Sequence, residues 1–245
     1  MIQHKIVSQE EWIEARKAHM AREKELMRSR DRLNEERRAL PWVKVDKAYV
    51  FDGPAGKVTL ADLFRGRPQL VVQHVMFRPD WDAACKSCSF WADGLDRIVP
   101  HLAARDTTVV AVSLAGVEKL EAFKQRMGWT FDWVSSGACD FNADYGVTFT
   151  REEIDKGEKK YNFGTTPFYG DELPGISVFY RAEGGDIFHT YSCYARGLDM
   201  MNAAYHYLDL TPLGRHEEGL PYPMDWVRLR DQYAPEAGKS ACCHG

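Results

Sequence analysis

Two short runs constrain the fold more than any other feature of this chain. Gln69 to Phe77, flanked by Pro68 and Pro79, is largely apolar, and Thr107 to Leu114 is rich in valine. A strand with one wet face alternates apolar and polar residues. A largely unbroken apolar run fits a strand buried on both faces, as in parallel sheets covered by helices. Between the runs, Cys85 to Ala104 has helical spacing, with apolar residues at Phe90, Trp91, Leu95, Ile98 and Leu102 and a Pro100 that predicts a kink. Strand, helix and strand in that order predict a parallel βαβ unit.

The flanking segments extend the pattern. Ala48 to Leu60 predicts a hairpin turning at Asp52-Gly53-Pro54-Ala55-Gly56, followed by a short helical turn over Ala61 to Phe64. Val117 to Met127 reads as an amphipathic helix closed by Gly128, and Phe131 to Ser135 as a third strand. Ile176 to Tyr180 and Ile187 to Tyr191 predict an antiparallel hairpin, and Leu198 to Leu208 a further helix. Residues 150–172 are polar, carry Gly164, Pro167 and Gly170, and predict an insertion with little regular structure.

Ahead of this block, Ser8 to Arg38 has no proline or glycine and opens with the capping-box pattern Ser8-Gln9-Glu10-Glu11, so one long helix or two is expected. Its apolar residues, Trp12, Ile13, Met20, Leu26, Met27 and Leu33, fall near a seven-residue spacing suited to packing on the domain or on a second copy. The expected organisation is a helical arm over 1–40, a main domain over 41–210, and an extension over 211–245 whose tail, with Cys242-Cys243-His244, is expected to be mobile.

The formal net charge of -4 gives no basic excess, so no nucleic-acid partner is expected. No apolar run approaches the roughly 18 residues of a membrane span, and the N-terminus lacks a leader pattern, which together point to a cytoplasmic protein. Six cysteines in 245 residues are too sparse for a disulfide-stapled scaffold. In a reducing compartment a close pair reads first as redox-active or metal-binding.

Cys85-Lys86-Ser87-Cys88 is such a pair, placed where a buried strand passes into a helix. Sites of open α/β sheets lie at that edge, and the free amides and positive dipole end of the first helical turn stabilise a thiolate. Cys85 is the expected nucleophile. Cys88, one turn deeper on the same side, is the expected resolving thiol. Lys86 is expected to add a positive charge, and Asp82 to take a proton from Cys88. Trp81, Asp82 and Trp91 flank the motif as candidates to shape a substrate groove, and Lys86 and Ser87 within it are candidates to bind the substrate. Two structural thiols in a helix is the plainer alternative. A zinc site needs four ligands, and only the Cys242-Cys243-His244 tail offers further soft ones, so no metal or cofactor is expected at the pair. His74 reads as a hydrogen-bonded core histidine, with a proton shuttle as the alternative. Alternation places His189 and Tyr191 on one sheet face, near Tyr194 and Arg196. Cys139 and Cys193 read as buried bystanders.

Three segments carry a family resemblance: Arg37-Arg38-Ala39-Leu40-Pro41-Trp42-Val43, Phe77-Arg78-Pro79-Asp80-Trp81 leading into Cys85 to Asp93, and Phe188-His189-Thr190-Tyr191-Ser192-Cys193-Tyr194-Ala195-Arg196-Gly197. In these the chain resembles the bacterial thioredoxin-like proteins of the DUF899 family. The order of parts is similar to the peroxiredoxin-like branch of the thioredoxin superfamily. The resemblance implies a thioredoxin-like three-layer α/β/α sandwich and a Pro174 in the place of the superfamily's cis-proline, facing Cys85. Peroxiredoxins carry Thr or Ser three residues before the attacking cysteine and proline four before that, whereas this chain has Asp82 and Arg78 there. The expected activity is therefore thiol-disulfide exchange with a disulfide-containing protein or small molecule. A thiol peroxidase and a redox-inactive or metal-binding interaction protein are the alternatives, with the arm a candidate for homodimer formation.

Overall fold

The computed structural model describes residues 4–158, 160–165 and 170–233. The chain divides into two compact units between Pro41 and Trp42. In the first, a single helix α1 (Gln9–Arg38) begins at a reciprocal capping box: the Ser8 hydroxyl accepts from the Glu11 amide at 3.2 Å, and the Glu11 carboxylate accepts from the Ser8 amide at 3.0 Å. Arg37 and Arg38 complement the dipole at its other end, and no residue of the helix is buried.

The second unit is built on one eight-stranded sheet. In chain order its elements are β1 (Val43–Lys44), β2 (Val50–Gly53), β3 (Gly56–Thr59), α2 (Leu60–Leu63), β4 (Gln69–His74), α3 (Lys86–Ala103), β5 (Thr107–Ser113), α4 (Val117–Met127), β6 (Asp132–Ser135), α5 (Phe141–Asp144), α6 (Arg151–Asp155), β7 (Gly175–Arg181), β8 (Ile187–Tyr194) and α7 (Ala203–Leu208). The strands lie in the order β1-β8-β7-β4-β5-β6-β2-β3. β4, β5 and β6 are parallel, and every other pairing is antiparallel.

Alternation along the buried strands divides the core into two layers. Val110 and Val112 of β5, with Leu70 and Val72 of β4, face Phe51, Leu63, Phe64 and Phe141. Val109 and Ala111 face the other way, onto Leu95, Leu120, Phe123, Trp129 and Trp133, beneath α3 and α4. Burying each large side chain stabilises the fold by about 1.5–3 kcal/mol. Helices on both faces give the expected three-layer arrangement, and β4 occupies its centre.

Several local expectations give way to tertiary contacts. The predicted helix over Leu198 to Leu208 is a 3-10 turn over Ala195–Met201 followed by α7, because the Asn202 side chain caps a new start by accepting from the Tyr205 amide at 3.2 Å. The polar stretch after Phe149 contains α6, opened by a Thr150–Glu153 capping box, and its two ends are joined by an antiparallel bridge between Thr148 and Glu172. α3 passes through Pro100 as one helix.

The peptide before Pro174 is trans. The Leu173 amide donates to the Val147 carbonyl at 2.7 Å just ahead of β7. Gly175 follows because nothing larger fits: a Cβ there would lie 2.8 Å from the Tyr194 ring.

The segment beyond Thr211 is anchored by the buried Val227 and Leu229. Cys242, Cys243 and His244 fall outside the described residues. No helix among those described is long and apolar enough to cross a membrane.

Candidate active site

The site forms where β4 ends at the carboxyl edge of the parallel strands. The chain leaves β4 through Val75 to Phe77, loops over 78–84, and turns into α3 with Cys85 as its N-cap. The loop is pinned by Lys119 of α4, whose ammonium donates to the carbonyls of Pro79 at 2.7 Å and Trp81 at 2.6 Å. The Cys85 amide donates to the Met76 carbonyl at 2.9 Å, and the Ser89 amide closes the first helical turn onto Cys85 at 2.9 Å. Cys88, Ala92 and Leu95 then share the stripe of α3 that enters the core.

The two thiols are free and unlike. Cys85 is half-buried, whereas Cys88 is only 5% exposed. The Cys88 thiol donates to the Cys85 sulfur, and the amides of Cys88 and Ser87 and the Ser87 hydroxyl add further donors. Together they outweigh desolvation and pull the Cys85 thiol down to about 6. The same hydrogen bond, with burial second, pushes Cys88 up. A stabilised thiolate thus sits beside a thiol that keeps its proton.

Of the residues singled out around the motif, Ser87 donates to the Cys85 sulfur, while Lys86, Trp91 and Pro174 are engaged by other partners. Lys86 turns away: its ammonium donates to the Asp225 carbonyl at 2.8 Å and lies 5.7 Å from the centre of the Tyr222 ring. The Cys88 thiol first, and then the donors of the helix start, hold the thiolate. The Trp91 indole donates to the Leu198 carbonyl at 2.8 Å and packs edge-on against Phe90 and Tyr205, as a packing residue does. Trp81 packs partly buried on the α3 side of the core. Asp82 is exposed, and the carboxyl whose charge acts on Cys88 is that of Glu172 instead. Pro174 contributes its carbonyl, which accepts from the Tyr161 hydroxyl at 2.8 Å.

His74 faces the opposite layer. It shares the orientation of Leu70 and Val72, stacks on Phe141 and lies 3.0 Å from the Ser177 hydroxyl, and burial lowers it to about 4. It is a neutral core histidine. His189 and Tyr191 do not share a face, because the pairing of β7 with β8 shifts between Val178 and Phe179 and leaves Thr190 as an extra residue. His189 consequently meets Tyr145 and Phe179, while Tyr191 packs with Trp91 and Ile176.

Glu172 is the residue that sequence reasoning missed. It is 5% exposed, accepts from the Phe77 amide, and is pushed up to about 8 by burial, against the lowering influence of Arg78. It comes from a polar stretch next to Asp171, where no periodicity marks a buried position; only the bridge to Thr148 carries it inward. Among the described residues no three His, Cys, Asp or Glu side chains gather as a metal site requires.

Three parallel strands, an antiparallel hairpin beside the central one, helices on both faces and a Cys-x-x-Cys at the start of the helix after that strand define a thioredoxin-like protein. The chain belongs to the family described as bacterial protein of unknown function (DUF899), which it matches over residues 1–233. No curated protein matches it.

Solved structures similar to it include a peroxiredoxin Q mutant of Xanthomonas campestris (14% identity, 64% of this chain and 90% of that one, TM-score 0.43). Peroxidoxin BcpB of Mycobacterium tuberculosis is 14% identical over 68% of this chain and 96% of its own, with a TM-score of 0.43. A putative thiol:disulfide interchange protein DsbE of Chlorobium tepidum is 14% identical over 67% and 97%, with a TM-score of 0.41.

Proposed function

We propose that this protein is a thiol-disulfide oxidoreductase in which Cys85 attacks a substrate disulfide and Cys88 resolves the mixed disulfide. The observation that carries the reading is the asymmetry of the pair. Cys85 is reachable and its thiolate is stabilised by four donors, whereas Cys88 is buried, protonated and hydrogen-bonded to the Cys85 sulfur. A nucleophile needs access and thiolate character, and a resolving thiol needs proximity and protection from outside disulfides.

In the forward direction the Cys85 thiolate forms a bond to one sulfur of the substrate, and the other sulfur leaves with the electron pair. Cys88 then attacks Cys85, the substrate's second sulfur leaves, and Cys85–Cys88 becomes the disulfide. Two electrons have passed from the protein dithiol to the substrate disulfide, and an external thiol reductant returns them. The substrate is a disulfide-containing protein or small molecule, and a reducing compartment such as the cytoplasm suits a pair that rests as the dithiol.

Turnover of insulin disulfides with dithiothreitol as reductant tests the reading. Cys85→Ser should abolish the catalysed rate and Cys88→Ser should stall at a trapped mixed disulfide. Equal rates in wild type and Cys85→Ser would refute it.

A further inference from the structure

Building on the dithiol reading, we propose that Lys86 and Arg228 form an anion subsite beside Cys85 that selects small disulfides carrying carboxylates. The case begins where two cations meet. The Lys86 ammonium donates to the Asp225 carbonyl at 2.8 Å, and the Arg228 Nη1 donates to the same oxygen at 2.7 Å. Two positive groups on one neutral acceptor repel each other. Arg228 also reaches the Val227 carbonyl at 3.0 Å, and among the described residues neither side chain forms an ion pair with a carboxylate.

The pair is fixed next to the motif. Arg228 is exposed between Val227 and Leu229, which are both buried. Leu229 belongs to the core cluster that holds Cys88, and Cys85 packs against the same cluster. The segment ahead is organised around Glu217, whose Oε1 accepts from the Tyr205 hydroxyl at 2.9 Å, the Met224 amide at 3.0 Å and the Trp226 indole at 2.8 Å. Trp226 in turn packs edge-on against Phe90 of α3, with ring centres 5.6 Å apart. The extension is thus clamped to the first turns of α3, whose N-cap is Cys85 and whose first residue is Lys86. Tyr222 completes the subsite: its half-exposed ring has the Lys86 ammonium 5.7 Å from its centre, and its hydroxyl faces the Asp225 carboxylate.

A carboxylate seated on the pair would accept a charge-assisted bond from each cation and relieve their repulsion. Lys86 adjoins Cys85 in the chain, and Arg228 is tied to the same carbonyl, so the pair reaches only groups close to the reacting sulfurs. That fits a small disulfide whose carboxylates lie near its sulfurs. The rest of the protein disfavours such a substrate, because the formal net charge is -4 and the attacking group is a thiolate. The subsite offsets both. With one carboxylate on the pair, the Cys85 thiolate bonds to one sulfur and the other sulfur leaves with the electron pair. Cys88 then closes the Cys85–Cys88 disulfide, its proton passing to solvent, and the second carboxylate-bearing thiolate departs, two electrons having gone to the substrate.

Single-turnover oxidation of the reduced full chain by three disulfides tests the subsite: anionic 3,3'-dithiodipropionate, neutral 2-hydroxyethyl disulfide and cationic cystamine. Each reaction is quenched with acid and read by mass spectrometry of the peptide that holds Cys85 and Cys88. The readout is the ratio of the anionic to the neutral rate constant, in which changes in thiol reactivity cancel. Lys86→Met/Arg228→Met should lower this ratio by about tenfold and raise the cationic-to-neutral ratio, whereas Lys86→Arg/Arg228→Lys should hold it within about twofold. An unchanged ratio in the methionine variant would overturn the proposal and leave the dithiol reading intact; a wild type that forms no Cys85–Cys88 disulfide with any of the three would overturn both. Should the methionine variant fail to fold, the wild type decides through salt: raising sodium chloride from about 20 to about 300 mM should slow the anionic disulfide by about threefold. An anionic rate that stays level or rises, as the net charge alone predicts, would overturn the proposal.

Discussion

Replacing Cys88 by Ala tests how the Cys85 thiolate is held. The donor that contributes most to lowering Cys85 is the Cys88 thiol, ahead of the amides of Cys88 and Ser87. A hydrogen bond to a charged group contributes about 1.5–3 kcal/mol, or about 1–2 pKa units. Cys88→Ala keeps the helix start and both amides but loses this donor, so Cys85 should move from about 6 to about 7–8. At pH 7 the thiolate fraction would fall from about nine-tenths to between about one-half and one-tenth. Cys88→Ser keeps a donor at the same place and should shift less. The assay is the pH dependence of Cys85 alkylation by iodoacetamide, read by mass spectrometry of the Cys85 peptide. Coincident profiles for wild type and Cys88→Ala would refute the argument, as would a wild-type midpoint near the ordinary thiol value of about 8.5.

Further outcomes follow from the same geometry. Lys86→Met should leave the alkylation midpoint of Cys85 in place, because the ammonium is engaged at the Asp225 carbonyl; a rise of a full unit would contradict the site. Glu172 holds a proton up to about 8 when folded but only to about 4.5 when unfolded. Between those values the native state binds the extra proton, so the stability of wild type relative to Glu172→Gln should fall with rising pH, by about 1.4 kcal/mol per unit; parallel denaturant-derived curves would count against it. Gly175→Ala should cost about 1–3 kcal/mol in chemical denaturation, because its Cβ would crowd Tyr194 at 2.8 Å and Val147 at 3.0 Å; a neutral result would mean that the ring shifts freely.

Much of the architecture was legible in the sequence because it is periodic or locally punctuated. The valine-rich runs became β4 and β5 at the middle of the sheet, the Ser8–Glu11 box starts α1, and Gly128 closes α4 in the left-handed conformation. The placing of a Cys-x-x-Cys at a strand-to-helix turn was legible for the same reason, since local sequence fixes both elements.

The partners of that motif were not. Glu172 lies far along the chain from Cys88 and carries no local mark of burial; its bridge to Thr148 carries it inward, where its charge acts on Cys88. Lys86 and Asp82 adjoin the motif, yet one turns to Asp225 and the other to solvent, because proximity along a chain says nothing of side-chain direction across a loop. The extra residue Thr190 sends His189 and Tyr191 to opposite faces despite their alternation, and the Pro174 peptide is trans. The sequence by itself determined the strands, the helices and the position of a dithiol at a helix start, all set by interactions within a few residues. Only the tertiary structure decided which charge and which donors surround that dithiol, because electrostatics and burial act through space between segments that the chain order keeps apart.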